Sequence, residues 1–205
     1  MRIAGGTPGA DLACSPVTRF PRLGLTGVAA GAMLLALAGP AVAQVEDYAD
    51  YQPQQWCSPT AKPGTKVLAR WLVRRGGESG AIGRACRSGG TSEHKEGRAF
   101  DWTLDAGRRA DRRVAQAFLD EAFATDARGN EHVKARRMGI MYIIWDDHIY
   151  RAWEHFETQG YLSSSCRTRR SCSRTLRHRD HMHISLSRRG GRGETSWYEG
   201  RISAD

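Results

Sequence analysis

The chain has 205 residues, a length that allows one ordinary domain with its own core and little else. Its formal net charge at pH 7 is +9, with 31 basic against 22 acidic residues. This charge favours acidic partners through long-range attraction. It does not choose between nucleic acid and an anionic cell wall.

The first 43 residues have the pattern of a secretory signal peptide. Arg19 and Arg22 precede an apolar run over residues 23–37, and residues 41–43 (Ala-Val-Ala) are small where a signal peptidase reads. Cleavage after Ala43 leaves 28 basic and 21 acidic residues, a net charge of +7. A membrane span needs about 20 apolar residues, so the run is short for one. We therefore expect a secreted protein without a span, and an uncleaved N-terminal anchor is the alternative.

Four cysteines remain after that cleavage, an even number that predicts two disulfides in an exported chain. We expect the pairs Cys57–Cys86 and Cys166–Cys172, because the second pair closes a short loop rich in arginine and serine. A zinc site built on these thiols is the alternative, but the spacing contains no CxxC pair.

The elements of the mature chain can be predicted in order. Residues 44–56 are polar and predict an extended lead-in to a domain over residues 57–200, and residues 80–92 are glycine-rich and irregular. Apolar residues at helical spacing predict helices at Thr65–Arg75 and Asp111–Phe123. Strands are predicted at Arg98–Leu104, Met138–Trp145, His148–Trp153 and Met182–Leu186. The tail Arg188–Arg192 is basic and is predicted to be a flexible, solvated loop. This mixture lacks βαβ regularity and predicts an α+β fold, with a small, mainly antiparallel sheet and flanking helices.

One candidate site segment runs from Ser92 to Asp101. Gly97 permits a sharp bend after His94, and the strand that follows places Asp101 on the face opposite Phe100 and Trp102. A carboxylate between two large aromatic residues is costly to bury unless a cation meets it. His94 and Asp101 are therefore expected to point at one place.

The second segment is the strand around His183. Met182, Ile184 and Leu186 form its apolar face, and His181 and His183 lie on the other face. Two imidazoles and one carboxylate suit Zn²⁺, with a fourth position left for water whose pKa falls to about 7. His94, Asp101 and one of the two histidines His181 and His183 thus form a candidate zinc site, because the strand face accepts either histidine.

The order SxHxxGxAxD followed by DHxH resembles the zinc D-Ala-D-Ala carboxypeptidases and endopeptidases related to lysostaphin and the hedgehog signalling domain. The stretches SEHKEGRAFDW, RRMGIMYIIW and HRDHMHISLS are similar to those of a group of secreted actinobacterial proteins of that fold. The resemblance covers about residues 57–198. It implies a zinc fold of the hedgehog and DD-peptidase type.

The resemblance also implies roles for single residues. His94, Asp101 and His183 take the positions of the zinc ligands, and Asp180 takes that of the general base. His181 takes the place of a histidine that orients water or stabilises the oxyanion. Strand parity turns Asp180 away from the zinc unless it belongs to the preceding loop, and His181 is then the better base. Arg84 or Arg87 is the candidate cation for the oxyanion, with Arg84 preferred.

The function expected from these features is a secreted, cell-wall-associated zinc peptidase that cleaves amide bonds in peptidoglycan peptides, of the carboxypeptidase or endopeptidase type. The expected partners are peptidoglycan or its stem peptides, with anionic cell-wall polymers also possible. We expect a monomer, with no nucleic-acid partner. A non-catalytic zinc-binding module of the same fold is the alternative, and a polyanion binder is supported by charge alone.

Overall fold

The computed structural model describes residues 44–202, so the predicted signal peptide lies outside the described residues. Six strands form one antiparallel sheet: β1 (Glu78–Ser79), β2 (Ala99–Thr103), β3 (Ile140–Trp145), β4 (His148–Arg151), β5 (Thr158–Gly160) and β6 (Met182–Leu186). The α-helices are α1 (Pro63–Val73), α2 (Arg109–Phe123), α3 (Val133–Arg137) and α4 (Arg188–Arg192). The order across the sheet is β1-β2-β6-β3-β4-β5. The predicted α+β class with an antiparallel sheet is confirmed.

The helices and strands predicted from periodicity are present, with their ends within two residues of the expected positions. The prediction of a flexible loop at Arg188–Arg192 is wrong, because this segment forms α4. Gly190 and Gly191 are buried, and a Cβ atom on Gly64 of α1 would lie 2.1 Å from the carbonyl oxygen of Gly190. Glycines let the two backbones approach closely, and a pattern of charge and glycine does not reveal that packing.

Alternate residues of β2 and β6 supply the core. Trp102 is fully buried and its ring meets that of Phe118 of α2 edge to face, at 5.7 Å between centroids. Other core side chains come from α1, β2 and β6: Leu68, Leu72, Phe100, Met182, Ile184 and Leu186. The core therefore lies between the helices and one face of the sheet, and the opposite face is left for other residues of the same strands.

Strand β3 carries one extra residue. Ile140 and Tyr142 pair with Leu186 and Ser185, which are adjacent in β6, so the register shifts between them. A bulge of this kind changes which face the following side chains occupy. Consequently Ile140 and Ile143 both lie in the core, whereas Tyr142 faces a cavity on the other side.

Residues 44–56 contain neither helix nor strand, as predicted, and they lie along the domain through specific contacts. The carbonyl oxygen of Gln52 accepts a hydrogen bond from the buried Arg98 guanidinium, and the Gln52 side chain accepts one from the backbone N–H of Arg188. The backbone N–H of Gln55 donates to the buried carboxylate of Glu96. The lead-in is thus attached to a buried charged network.

Both expected disulfides, Cys57–Cys86 and Cys166–Cys172, are present. Their cysteines are therefore not available as thiolate ligands, and the alternative of a thiolate zinc site is excluded. Within residues 44–202, no helix is long and apolar enough to cross a membrane. The two disulfides are compatible with an extracellular protein.

Candidate metal centre

The pairing of β2 with β6 places two of the predicted ligands side by side. Asp101 and His183 are direct partners in the antiparallel register, and both lie on the face opposite the core. The distance from Asp101 Oδ1 to His183 Nδ1 is 3.0 Å. The alternation predicted for the two strands is therefore confirmed, and the strand register places His183, rather than His181, next to the carboxylate.

The third member, His94, comes from a short 3₁₀ helix over Glu93–Glu96 that ends at Gly97. Gly97 has φ 65°, and a Cβ atom there would lie 2.0 Å from the carbonyl oxygen of Thr60. Only glycine fits this position, and the bend lets the buried imidazole of His94 reach Asp101. The sharp turn predicted after His94 is confirmed.

Three potential ligand atoms converge: His94 Nε2, His183 Nδ1 and Asp101 Oδ1. His94 Nε2 lies 3.1 Å from Asp101 Oδ1 and 3.2 Å from His183 Nδ1. A tetrahedral zinc ion with bonds of about 2.0–2.1 Å separates its ligand atoms by roughly 3.3 Å. The triangle is close to that size, so the residues present fit a small divalent cation, and this group can hold a metal ion.

The outer nitrogens of both imidazoles also have partners. His94 Nδ1 lies 2.8 Å from the carbonyl oxygen of Ile82, which can only accept, so Nδ1 carries the proton and Nε2 presents its lone pair to the centre. His183 Nε2 lies 2.9 Å from Ser185 Oγ. Such contacts fix the orientation of metal-binding imidazoles and raise their affinity.

The electrostatics of the centre favour a cation. Burial by itself would raise the pKa of Asp101, but its close polar contacts with the imidazoles of His183 and His94 outweigh burial and hold that pKa far below its usual range. Burial lowers the pKa of His183. The centre therefore presents an ionised carboxylate and a neutral His183 near pH 7, the protonation states that metal ligands need.

His181 and Asp180 form a pair beside the ligands. Asp180 precedes β6, and its carboxylate accepts hydrogen bonds from His181 Nδ1 at 2.8 Å and from the Thr175 hydroxyl. The other ring nitrogen, His181 Nε2, lies 3.7 Å from Asp101 Oδ1. Burial would raise the pKa of Asp180, but the bonds from Thr175 and His181 lower it. Of the two candidate bases, His181 is the one that faces the ligand group.

The structure separates the two candidate arginines. Arg84 lines the cavity of about 440 Å³ that Asp101 and His183 border, and its backbone N–H donates to the carbonyl oxygen of His94. Arg87 lies in the same exposed loop but is not part of the cavity wall. The side chain of Arg84 is also exposed.

Sequence reasoning missed Tyr142 and Glu93, which line the cavity together with His178. The hydroxyl of Tyr142 donates a hydrogen bond of 2.6 Å to Glu93, and the Tyr142 ring stacks on His183 at 5.5 Å. Tyr142 lies within an apolar run of the sequence, and the bulge that turns it toward the cavity cannot be recognised from that run. His178 lies 4.8 Å from His181 between ring centroids; burial, together with His183 and His181, lowers its pKa to about 3.

Comparison with known proteins gives one family. The family model described as VldE, C-terminal domain, matches residues 57–168, which is more than half of the chain and includes His94 and Asp101. No curated protein and no solved structure matches the chain.

Proposed function

The chain belongs to the VldE C-terminal domain family, and we propose that it is a secreted zinc-dependent peptidase acting on peptidoglycan peptides. The observation that supports this most is the convergence of His94 Nε2, His183 Nδ1 and Asp101 Oδ1 in an open cavity. Two imidazoles, one carboxylate and a free side toward a cavity are typical of catalytic rather than structural zinc sites. The two disulfides agree with an exported protein.

Zinc in this site would supply Lewis acidity, polarising the scissile carbonyl and making water nucleophilic near neutral pH. His181 Nε2, which lies 3.7 Å from Asp101 Oδ1, would accept the proton from the attacking water and pass it to the leaving amine. Asp180 would hold the tautomer of His181 in which Nδ1 carries the proton. Arg84, at the cavity wall, would stabilise the negative charge on the carbonyl oxygen.

The direct test is mass spectrometry of defined muropeptides incubated with purified protein, either zinc-loaded or stripped of metal. We expect peptide fragments or free D-alanine only with metal, and none from His183→Ala. His148→Ala is the matched control, because His148 is an exposed histidine outside the cavity. Absence of any cleavage by the zinc-loaded protein would contradict the proposal.

One observation favours a second candidate, a non-catalytic zinc-binding module of the same fold. Asp180, at the position expected for the base, directs its carboxylate to Thr175 and His181 rather than to the ligand atoms. In that case zinc binds without turnover, and Asp180→Ala changes neither zinc affinity nor any reaction. The muropeptide digests separate the two candidates, provided that zinc content is measured in the same samples.

A further inference from the structure

A row of aromatic rings leads away from the candidate metal centre. Tyr142 stacks on the ligand His183, Trp153 lies 6.4 Å from Tyr142, and Tyr51 lies 5.2 Å from Trp153, all between ring centroids. These rings line a groove of about 390 Å³, a volume in the range of ligand pockets (roughly 300–1,000 Å³). We call it the aromatic groove, lined by Tyr51, Tyr142, Trp153 and Tyr161 with Thr91 and Ser164.

The aromatic groove and the metal cavity share a wall. Glu93, Tyr142 and Tyr161 line both of them. A molecule that places a bond at the metal ligands can therefore extend along the rings without leaving the protein surface. The groove is therefore continuous with the candidate site, and one ligand molecule can occupy both.

The polar residues of the groove limit its ligand. Thr91 and Ser164 are exposed and offer hydroxyl groups, and Glu93 adds a buried carboxylate. A purely apolar ligand would cover the hydroxyl groups of Thr91 and Ser164 and leave them without hydrogen bonds, which is unfavourable. Arg151 also lines the groove, but its guanidinium donates to Glu154 and Gln159, and a simple anion would meet the Glu93 carboxylate. The ligand that fits has an apolar face for the rings and hydroxyl groups at its edge.

From this geometry we propose that the aromatic groove binds a pyranose ring of the glycan to which the peptide substrate is attached. A pyranose presents C–H groups on its face and hydroxyls around its rim, which matches rings flanked by Thr91 and Ser164. The identity of the linked peptide rests on the proposed function, whereas sugar binding in the groove can be measured without any reaction. The substrate is then a glycan-linked peptide rather than a free one.

Tyr51 is the most accessible ring of the groove, with 54% of its surface exposed. It belongs to the extended lead-in, and the next residue, Gln52, is held through Arg98 and the backbone of Arg188. Because the backbone beside it is fixed, Tyr51 is presented to a ligand with little loss of conformational freedom on binding. The lead-in therefore forms one wall of the binding site.

The test compares kcat/KM of the zinc-loaded protein for a disaccharide-linked tetrapeptide and for the same tetrapeptide alone. We expect the linked form to be preferred by about tenfold, the upper range for one aromatic contact. Tyr51→Ala and Trp153→Ala should reduce this preference toward one, and Tyr51→Phe should restore it. Trp56→Ala, an exposed aromatic of the same segment outside the groove, is the control that keeps the preference.

Saturation-transfer NMR with the N-acetylglucosamine–N-acetylmuramic acid disaccharide alone separates the two proposals. If the disaccharide contacts the protein, Tyr51→Ala removes these contacts and no peptide is cleaved, the result would support sugar binding in the aromatic groove and contradict the proposed peptidase activity. Cleavage with equal kcat/KM for linked and free peptide would overturn the glycan inference and leave the peptidase. A preference for free peptides with apolar side chains, or no sugar contact at all, would also overturn it.

Discussion

The two faces of strands β2 and β6 are built from alternating residues, yet they differ in every physical respect. One face, represented by Trp102 and Ile184, is buried and apolar and packs against the helices. The other face, represented by Asp101 and His183, borders an open cavity and holds an ionised carboxylate beside an imidazole. The first face stabilises the fold by apolar burial, and the second places charge where a cation can neutralise it. Stability and the candidate function are thus separated by one residue step along the chain.

The largest expected effect is on the core face. Trp102→Ala should lower the free energy of unfolding of metal-free protein by about 3–5 kcal/mol, because it removes a fully buried ring from contact with Phe118. Urea unfolding followed by circular dichroism measures this loss. If metal-free Trp102→Ala is as stable as the native chain, Trp102 does not pack in a core between the sheet and the helices.

The neighbouring residue should behave in the opposite way. Asp101→Asn should weaken zinc binding by about 100-fold or more, since even outer contacts of metal ligands are worth roughly 10–100-fold. It should leave the metal-free protein folded, because Asp101 does not pack in the core. Isothermal titration with zinc gives the affinity, with Asp105→Asn as the control at a carboxylate outside the ligand group. Equal zinc affinity in both variants would contradict the assignment.

A smaller effect is expected behind the ligands. Ser185→Ala removes the hydroxyl that lies 2.9 Å from His183 Nε2 and should weaken zinc binding by about tenfold. Ser187→Ala is the matched control, because the Ser187 hydroxyl instead accepts the backbone N–H of Gly190. If both serine variants bind zinc equally well, the contact does not orient His183.

The smallest effect concerns pH. Because the pKa of His178 is lowered to about 3, the unfolded chain takes up a proton near pH 6.5 while the folded chain does not. The free energy of unfolding of metal-free protein should therefore fall as pH drops below 6.5, by at most about 1.4 kcal/mol per pH unit from this group. Asn tolerates the φ of 51° at this position. His178→Asn should give a flatter dependence in urea unfolding at pH 6.5 and 5.5, and an unchanged slope would contradict the assignment.

The contrast between the faces also explains how much of the molecule could be predicted. Period-two alternation in residues 99–103 and 182–186 is a local property, so it predicted the strands, their core face and the polar face that carries Asp101 and His183. The choice of His183 over His181 came from the family resemblance alone. The bend at Gly97 predicted the approach of His94. These features need no knowledge of distant parts of the chain.

What could not be predicted depends on contacts between remote segments. Tyr142 meets Glu93 across 49 positions of sequence, and the bulge that turns Tyr142 toward the cavity is not visible in an apolar run. The direction of Asp180 depends on Thr175 in a loop without periodicity. The packing of Gly190 against α1 likewise depends on Gly64, far away in the chain.

The attachment of the lead-in at Gln52 determines where the domain should begin when it is fused to another protein. The guanidinium of Arg98 is buried and divides its hydrogen bonds among Glu96, the carbonyl oxygen of Leu186 and that of Gln52. A fusion that begins at Cys57 would lack Gln52, so part of the buried Arg98 guanidinium would have no hydrogen-bond acceptor. This would lower the free energy of unfolding by about 1–3 kcal/mol. A fusion should therefore begin upstream of Cys57. One that includes residues 44–56 retains both the Gln52 acceptor and the Tyr51 ring.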